Sequence, residues 1–292
     1  MNNIMGRKIG IDCNPYVIAE LSGNHGGDFM AVMSLIEAAS DAGCDAVKIQ
    51  IYDPQRLAKA RGGEDKVLTH GPWKGRTLLD IYTEGAFHFD WIPMAQDYCY
   101  KHGMAFFASV FDEQGVTIAK MFEFPVIKVS SFDVTNLKLL DTAARAGVPV
   151  ILSTGMASMA EVDIAVGMIK RANPNLALLH CISEYPAPIH HMNIGKIDEL
   201  MYRYQVPVGL SDHCPDPTPG IAAVARGACI LEKHLRLEGD TETLDAMFSL
   251  DPHQMKDYVR RVTEAWMACL TPEDGENINT EYCDLRVKSE AH

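Results

Sequence analysis

Short apolar runs rich in β-branched and aromatic residues alternate along the chain with amphipathic segments of helical period. In one such segment Val32, Leu35, Ile36 and Ala39 recur at the spacing of a single helix face. In another, a Ser-x-x-Glu capping box at 158–161 marks the start of a helix. The pattern therefore predicts eight strands separated by helices. The predicted strands are 17–21, 46–52, 105–111, 126–131, 148–155, 176–183, 206–212 and 228–235.

The predicted fold is a single-domain α/β protein, a (β/α)8 TIM barrel formed by residues 1–270. Its strands are apolar enough to be buried on both faces, as parallel strands covered by helices must be. A doubly wound open sheet is the alternative. We favour the barrel, because no glycine-rich nucleotide-binding loop follows the first strand. Residues 271–292 are predicted to form a C-terminal tail.

A long segment, residues 53–87, separates the second predicted strand from the next helical pattern. It is rich in glycine, charge and aromatic residues and is too long for an ordinary connection between a strand and a helix. Long loops in compact domains are commonly functional, so we predict an insertion that acts as a lid over the barrel mouth. A plain surface excursion is the alternative.

Charge and composition narrow the possible partners. The formal net charge of −13 over 292 residues argues against nucleic acid or an anionic membrane as the main partner. No apolar run is long enough to cross a bilayer, and the first residues lack the apolar core of a signal peptide. The eight cysteines contain no Cys-x-x-Cys pair. These features predict a cytoplasmic protein that acts on small molecules.

Polar side chains end the predicted strands, and the carboxyl ends of barrel strands are where such folds place their chemistry. Lys48 and Lys128 stand at two of these ends. Because an ammonium group removed from water needs a partner, we predict that both lysines bind an anionic substrate carrying phosphate and carboxylate groups. Ion pairs with Glu20 and Glu232 are the alternative. The hydroxyl groups predicted to assist the lysines are those of Ser109, Ser131, Ser153 and Ser211.

Two histidines, His213 and His234, end the last two predicted strands. Their imidazoles could converge on one divalent metal ion that keeps open positions for water or substrate. The alternative is that each histidine is a satisfied core residue. His180 has no such companion, and we expect it to be structural. Glu232 and Lys233 precede His234, and only one of the two can face the barrel interior.

Eight motifs in the order of the strands resemble the catalytic barrel of the sialic-acid synthase family, from about residue 10 to about residue 260. They are IAELSGNHGGD, AVKIQIY, FASVFD, IKVSSFDVTNLKLL, ILSTGMAS, LLHCISEYPAP, VGLSDH and LEKHL. The piece GPWKGRTLLDIYTEGA is similar to the branch that makes pseudaminic and legionaminic acids. Members of this family condense phosphoenolpyruvate with an N-acylated amino sugar.

The resemblance implies roles for individual residues. The histidines of SDH and EKH, here His213 and His234, would bind Mn²⁺ or Mg²⁺, and Lys48 and Lys128 would hold phosphoenolpyruvate with the serines named above. Glu20 would lie near the aldehyde end of the sugar. The remaining residues implied to line the sugar site are Asp133, Ser183, Tyr185 and Asp245. The resemblance also implies a homodimer.

The chain departs from the family pattern in three places. Asp133 stands where members usually carry glutamate, which shortens a side chain that reaches the acceptor, and Ser109 stands where a threonine-proline pair is common. Family members also continue into a small C-terminal domain that resembles antifreeze proteins and supplies an arginine to the other subunit. Residues 271–292 do not resemble that domain, so we expect the 53–87 insertion to hold the acceptor instead. Its candidates are Arg56, Arg61, Lys74 and Arg76 as donors, with Trp73, Tyr82 and Phe87 as apolar cover.

The predicted reaction joins phosphoenolpyruvate to an open-chain N-acylated amino sugar and yields a sialic-acid-like nonulosonic acid and phosphate. Two alternatives remain. One is a synthase of the same chemistry that uses a phosphorylated aldose, such as arabinose 5-phosphate or erythrose 4-phosphate. The other is a sugar-binding barrel without catalysis. Glu20 could protonate the aldehyde oxygen, or position or deprotonate a water, and the sequence does not separate these roles.

Overall fold

The computed structural model describes residues 1–270 and contains a closed barrel of eight parallel strands, so the prediction of a (β/α)8 barrel is confirmed. The predicted tail, 271–292, lies outside the described residues. A two-stranded antiparallel hairpin, β1 (Asn3–Ile4) and β2 (Arg7–Lys8), precedes the barrel. The barrel strands are β3 (Tyr16–Glu20), β4 (Ala46–Ile51), β5 (Ala105–Val110), β6 (Ile127–Val129), β7 (Val150–Ser153), β8 (Leu176–Cys181), β9 (Val208–Asp212) and β10 (Ile230–His234).

Helices follow the strands and cover the barrel. Most begin at a side-chain cap, as with Ser158, whose capping box with Glu161 is formed as predicted. Asn136 accepts a hydrogen bond from the Leu139 amide and starts its helix in the same way. The helices are α1 (Phe29–Ala42), α2 (Pro54–Ala60), α3 (Leu78–Glu84), α4 (Ile92–Lys101), α5 (Glu113–Met121), α6 (Leu137–Ala144), α7 (Met159–Ala172), α8 (Lys196–Tyr204), α9 (Thr218–Ala225) and α10 (Pro252–Cys269).

The strands are buried on both faces. Every residue of β3, β5, β8, β9 and β10 is buried, although these strands contain lysine, glutamate, histidine and serine. Apolar side chains fill the contact with the helices, and the polar ones cluster toward the carboxyl ends of the strands. Within residues 1–270 no helix is both long and apolar enough to cross a membrane.

Strand register brings the polar positions side by side. β10 closes the barrel against β3 with His234 opposite Glu20, and Glu20 is in turn opposite Lys48 on β4. Between β5 and β6, Ser109 is opposite Lys128. Residues that are distant in the sequence therefore form one layer at the mouth of the barrel.

The 53–87 segment is not structureless. Its ends fold into α2 and α3, and an antiparallel bridge joins Val67 to Thr77. Helix α2 begins at Asp53, whose carboxylate accepts from the Arg56 amide, and α3 begins at Thr77 in the same way. The loop between the helices lies at the carboxyl ends of the strands, where it forms part of a cavity wall.

Candidate active site

A cavity of about 770 Å³ opens at the carboxyl ends of the barrel strands. Its walls combine the strand ends with the 53–87 segment and with the loop that follows β10. Every predicted site residue except Asp133 lines this cavity. Those residues are Glu20, Lys48, Ser109, Lys128, Ser131, Ser153, Ser183, Tyr185, Ser211, His213, His234 and Asp245.

Two lysines and two glutamates form a buried network of alternating charge at the bottom of the cavity. Lys48 Nζ lies 2.6 Å from Glu20 Oε2 and 3.6 Å from Glu232 Oε1. Lys128 Nζ lies 3.6 Å from Glu232 Oε2, which is beyond hydrogen-bonding distance. The ion pairs that the sequence offered as an alternative are thus present, while Lys128 keeps donors that a ligand can use.

The environment shifts the pKa values of this network in opposite directions. Burial raises the pKa of Glu20 despite the attraction of Lys48. Burial acts in the same sense on Glu232, but Lys128 and Lys48 outweigh it and the pKa of Glu232 is lowered. The pKa of Lys128 is lowered by burial, with partial compensation from Glu232. Of the two carboxyl groups, Glu20 is therefore the one more readily protonated.

The five predicted serines have three kinds of environment. Ser109 and Ser211 join the charged network, because the Ser109 hydroxyl accepts from Lys48 Nζ at 2.7 Å and Ser211 donates to Glu232 Oε1 at 3.1 Å. Ser131 and Ser183 contact each other through their hydroxyls at 3.0 Å. Ser153 Oγ is buried and has no hydrogen-bond partner within residues 1–270. A buried hydroxyl without a partner suggests that a ligand completes this wall.

His213 and His234 meet on the other side of the cavity, with ring centroids 5.6 Å apart. His213 Nδ1 contacts the Ile182 carbonyl oxygen at 2.9 Å, which makes Nδ1 the protonated nitrogen and leaves Nε2 free to accept. His234 Nδ1 is buried without a hydrogen-bond partner among the described residues. Burial lowers the pKa of His213 to about 4 and holds the pKa of His234 well below its usual range.

These two histidines fit a divalent metal ion. Burial favours the neutral form of both imidazoles, which is the form that metal ligation requires, and the hydrogen bond of His213 to a backbone carbonyl orients its ring. Within residues 1–270 no group of three or more His, Cys, Asp and Glu side chains is placed to hold a metal. Water or substrate would therefore complete the ligand set, which suits a Lewis-acid site.

Asp245 and Tyr185 line the cavity near the histidines. Asp245 Oδ2 accepts from the Gly23 amide at 3.2 Å and lies 3.9 Å from His234 Nδ1, and burial raises its pKa. The Tyr185 ring lies 4.4 Å from the ring of His213. Phe248, which the sequence reasoning did not name, lies 4.8 Å from His234. Its only signal was an aromatic residue three positions after Asp245 in the same loop.

Asp133 is placed behind the cavity wall rather than in it. Its carboxylate Oδ2 accepts from Ser130 Oγ at 2.6 Å and from Arg61 Nη2 at 2.6 Å. Aspartate is one methylene shorter than glutamate, and from this position its carboxylate holds Arg61 instead of lining the cavity. Both hydrogen-bond donors to this carboxylate, Arg61 and Ser130, do line the cavity.

The 53–87 segment forms part of the cavity wall at the barrel mouth. The Trp73 indole Nε1 donates to the Leu244 carbonyl oxygen at 2.8 Å, and its ring is 5.7 Å from Tyr185. Tyr82 also lines the cavity, as expected. Phe87 does not, and its prediction as cover is wrong: it packs against His25 and Trp91 below the mouth, because an apolar ring gains more from full burial.

The four candidate cations of this segment differ in whether they line the cavity. Arg56 lies 3.1 Å from Asp112 and Arg76 lies 2.6 Å from Glu84, and neither lines the cavity. Lys74 is exposed and does not line it either. Of the four candidates named from the sequence, Arg61 alone has its side chain in the cavity wall.

His180 and Lys233 have structural environments. His180 Nε2 contacts the Met192 carbonyl oxygen at 2.8 Å and is buried outside the cavity lining, as expected. Lys233 points away from the barrel interior, where its Nζ lies 2.8 Å from Asp212 Oδ2 and 5.4 Å from the Tyr258 ring. Glu232 is therefore the residue of this pair that faces inward.

Comparison with known proteins shows which family and which structures this chain resembles. A sequence profile of the NeuB family matches residues 35–273. The pseudaminic acid synthase of Campylobacter jejuni is 34% identical over 255 residues, which cover 87% of this chain and 74% of that protein. The N,N'-diacetyllegionaminic acid synthase of Legionella pneumophila is 29% identical over 270 residues, covering 91% and 75%. The structure of an N-acetylneuraminic acid synthetase from Leptospira borgpetersenii superposes with a TM-score of 0.85 at 30% identity, covering 97% and 95%.

Proposed function

Because the chain belongs to the NeuB family, we propose that it joins phosphoenolpyruvate to an open-chain N-acylated amino sugar. The products are a nonulosonic acid, the class that includes pseudaminic, legionaminic and neuraminic acids, and inorganic phosphate. Its relatives of pseudaminic and legionaminic acid synthesis support this reaction. The geometry that supports it best is the buried pair of lysines at the bottom of a sugar-sized cavity.

Phosphoenolpyruvate matches the charges of this cavity floor. Its phosphate and carboxylate need two cationic contacts, and Lys48 and Lys128 both reach Glu232 from opposite sides. The hydroxyls of Ser153 and Ser131 add neutral donors on the same wall. An anion held by two fixed ammonium groups is positioned as well as bound, which lowers the entropic part of the barrier.

The reaction forms one carbon–carbon bond and one carbon–oxygen bond, the latter from water to C2, and breaks the carbon–oxygen bond between C2 and the phosphate. The enol π-electrons of phosphoenolpyruvate attack the aldehyde carbon through C3, and the aldehyde oxygen takes a proton. Water then adds to the cationic C2 and loses one proton. The bond from C2 to the phosphate oxygen breaks, phosphate leaves with the electron pair, and the new hydroxyl loses its remaining proton as the C2 carbonyl forms. We assign the proton donor to Glu20, because burial raises its pKa and it lines the cavity next to Lys48.

Mn²⁺ or Mg²⁺ on His213 and His234 would supply Lewis-acid polarisation of the aldehyde oxygen. The His213→Ala variant is expected to lose turnover while its thermal unfolding temperature stays near that of the wild type, because an imidazole at a strand end carries little of the barrel core. Titration with Mn²⁺ followed by calorimetry should lose its binding signal in this variant. Normal turnover in the variant, or turnover that a chelator leaves intact, would reject the metal site.

Location and assembly are part of the same proposal. A reducing cytoplasm is supported by the cysteines of residues 1–270, which are all free thiols and mostly buried. A homodimer is supported by the resemblance to the family. Light scattering after gel filtration measures the mass of the protein in solution, and a mass of one chain would reject the homodimer.

A panel of aldehyde acceptors tests the reaction. The purified protein is incubated with phosphoenolpyruvate, Mn²⁺ and mono- or diacetamido hexoses, and phosphate release is measured against a sample without acceptor. We expect release with at least one acetamido sugar and none with arabinose 5-phosphate or erythrose 4-phosphate. Turnover of a phosphorylated aldose alone would favour the sister class of synthases. If none of the acceptors causes phosphate release, a binding protein would be favoured.

A further inference from the structure

Arg61 is fixed in the cavity wall by three contacts. Its Nη1 donates to the Phe132 carbonyl oxygen at 3.1 Å, and its Nη2 donates to Asp133 Oδ2 at 2.6 Å. Its guanidinium carbon also lies 5.5 Å from the centre of the Phe132 ring. An arginine side chain of three rotatable methylenes is thereby held in one place before any ligand arrives.

Asp133 gives this arginine its orientation and its charge balance. The carboxylate is 4% exposed, and both of its hydrogen bonds, from Arg61 and Ser130, go to Oδ2. With the carboxylate behind it, Arg61 is the member of this ion pair that lines the cavity. The hydrogen bonds from Arg61 to Phe132 and Asp133 use two of the five N–H donors of the guanidinium, and the others remain available.

We propose that Arg61 is a specificity-determining residue that donates hydrogen bonds to an uncharged oxygen of the acceptor sugar. The proposal rests on the synthase function stated above. An uncharged oxygen is favoured because Asp133 already neutralises Arg61, so a phosphate would meet a compensated ion pair rather than a free cation. Lys48 and Lys128, which we assign to phosphoenolpyruvate, form their ion pairs with Glu20 and Glu232 and not with Asp133.

The rest of the segment supports Arg61 over its neighbours. Arg56 and Arg76 are paired outside the cavity, as described above. Lys66 lines the cavity, but its side chain is exposed and its Nζ donates to the Arg61 carbonyl oxygen at 3.0 Å. Of these cations, Arg61 is the one that lines the cavity with a partly buried, hydrogen-bonded side chain. A fixed orientation is what specificity for a sugar oxygen requires.

The test compares three variants by steady-state kinetics with the best acetamido acceptor. Arg61→Met should raise the KM for the acceptor by about 10- to 100-fold, the usual range for losing a hydrogen bond to a charged donor. The KM for phosphoenolpyruvate should stay within about twofold, because the lysine network is intact. Arg76→Met, a change on the same segment outside the cavity, should alter neither constant.

The double variant Arg61→Met/Asp133→Asn separates recognition from charge balance. It removes the negative charge that the single variant leaves without its cationic partner, and it should keep the raised acceptor KM of the single variant. Recovery of the wild-type KM would mean that Arg61 only neutralises Asp133 and would overturn the proposal. An equal rise in the KM for phosphoenolpyruvate, or no change in the single variant, would also overturn it.

The 6-phosphate of the same acetamido sugar supplies the last comparison. Arg61→Met should weaken the free and the phosphorylated sugar to a similar degree. A clearly larger loss with the phosphorylated sugar would assign Arg61 to a phosphate and reject the proposal. If the wild-type protein turns over no acceptor, the proposed function fails and this proposal with it. A wild-type enzyme that is active, with variants that match it, rejects Arg61 alone.

Discussion

Replacing Lys128 by methionine tests the anion site at the bottom of the cavity. Lys128 is 3% exposed, and its Nζ lies 3.6 Å from Glu232 Oε2. Methionine keeps a long flexible side chain and removes the charge. The change leaves Glu232 with Lys48 at 3.6 Å and with the Ser211 hydroxyl at 3.1 Å, so no carboxylate is left without a partner.

The expected effect on phosphoenolpyruvate binding is large. A ligand anion as far from Lys128 Nζ as Glu232 Oε2 is, 3.6 Å, would be attracted by about 5 kcal/mol at an effective dielectric constant of ~20. Loss of one partner of a buried charge pair at a binding site usually costs roughly 2–5 kcal/mol. We therefore expect phosphoenolpyruvate to bind about 30-fold to several thousand-fold more weakly. The stability of the fold should change little, because burying an ammonium is itself unfavourable, as its lowered pKa indicates.

Calorimetric titration of phosphoenolpyruvate into the wild type and the variant measures this loss directly, at one fixed metal concentration and ionic strength. Lys120→Met is the matched control, because Lys120 is exposed on α5 and far from the strand ends. It should bind phosphoenolpyruvate as the wild type does. Affinity within about twofold of the wild type in Lys128→Met would show that Lys128 is structural and that the anion is held elsewhere.

Two further changes test the cover of the mouth and a buried histidine. Trp73→Phe keeps a ring but removes the donor to the Leu244 carbonyl, so kcat/KM should fall by about 2- to 10-fold. The control Trp266→Phe loses only an exposed hydrogen bond and should leave kcat/KM unchanged. Equal effects would reject the role of Trp73. Burial lowers the pKa of His25 to about 4, so the folded state binds fewer protons than the unfolded state below pH ~6.5. His25 alone therefore contributes roughly 2–3 kcal/mol of stability that is lost as the pH falls from ~6.5 to ~4. His25→Asn, which can still accept from the Gly27 amide, should show a flatter dependence in urea unfolding, and an unchanged slope would contradict this.

The barrel and the strand-end residues could be predicted because both depend on periodic features. Buried runs separated by helical patterns fix eight parallel strands, and parallel strands bring their carboxyl ends to one face. Lys48, Lys128, His213 and His234 therefore share a cavity whatever the details of packing. The two-residue strands of the N-terminal hairpin have no such signal, since Asn3–Ile4 is too short to show alternation.

Contacts between side chains from distant segments could not be predicted. The sequence offered four cations in the 53–87 segment, and only tertiary packing places Arg61 against Asp133. Phe87 is an aromatic residue in the segment that was predicted to cover the mouth, yet its ring is buried against His25. Periodicity describes which face of an element is buried, whereas these choices depend on how two irregular segments meet.

The two interpretations of the lysines, an anion cradle and a set of internal ion pairs, are compatible once charges are counted. In their ionised forms Glu20, Lys48, Glu232 and Lys128 sum to zero, so the network is balanced without a ligand. Phosphoenolpyruvate adds negative charge to this balanced group. Burial lowers the pKa of both His213 and His234, so these side chains do not supply the missing positive charge. Charge balance therefore argues that a bound cation at the two histidines, or a proton on Glu20, accompanies phosphoenolpyruvate into the site.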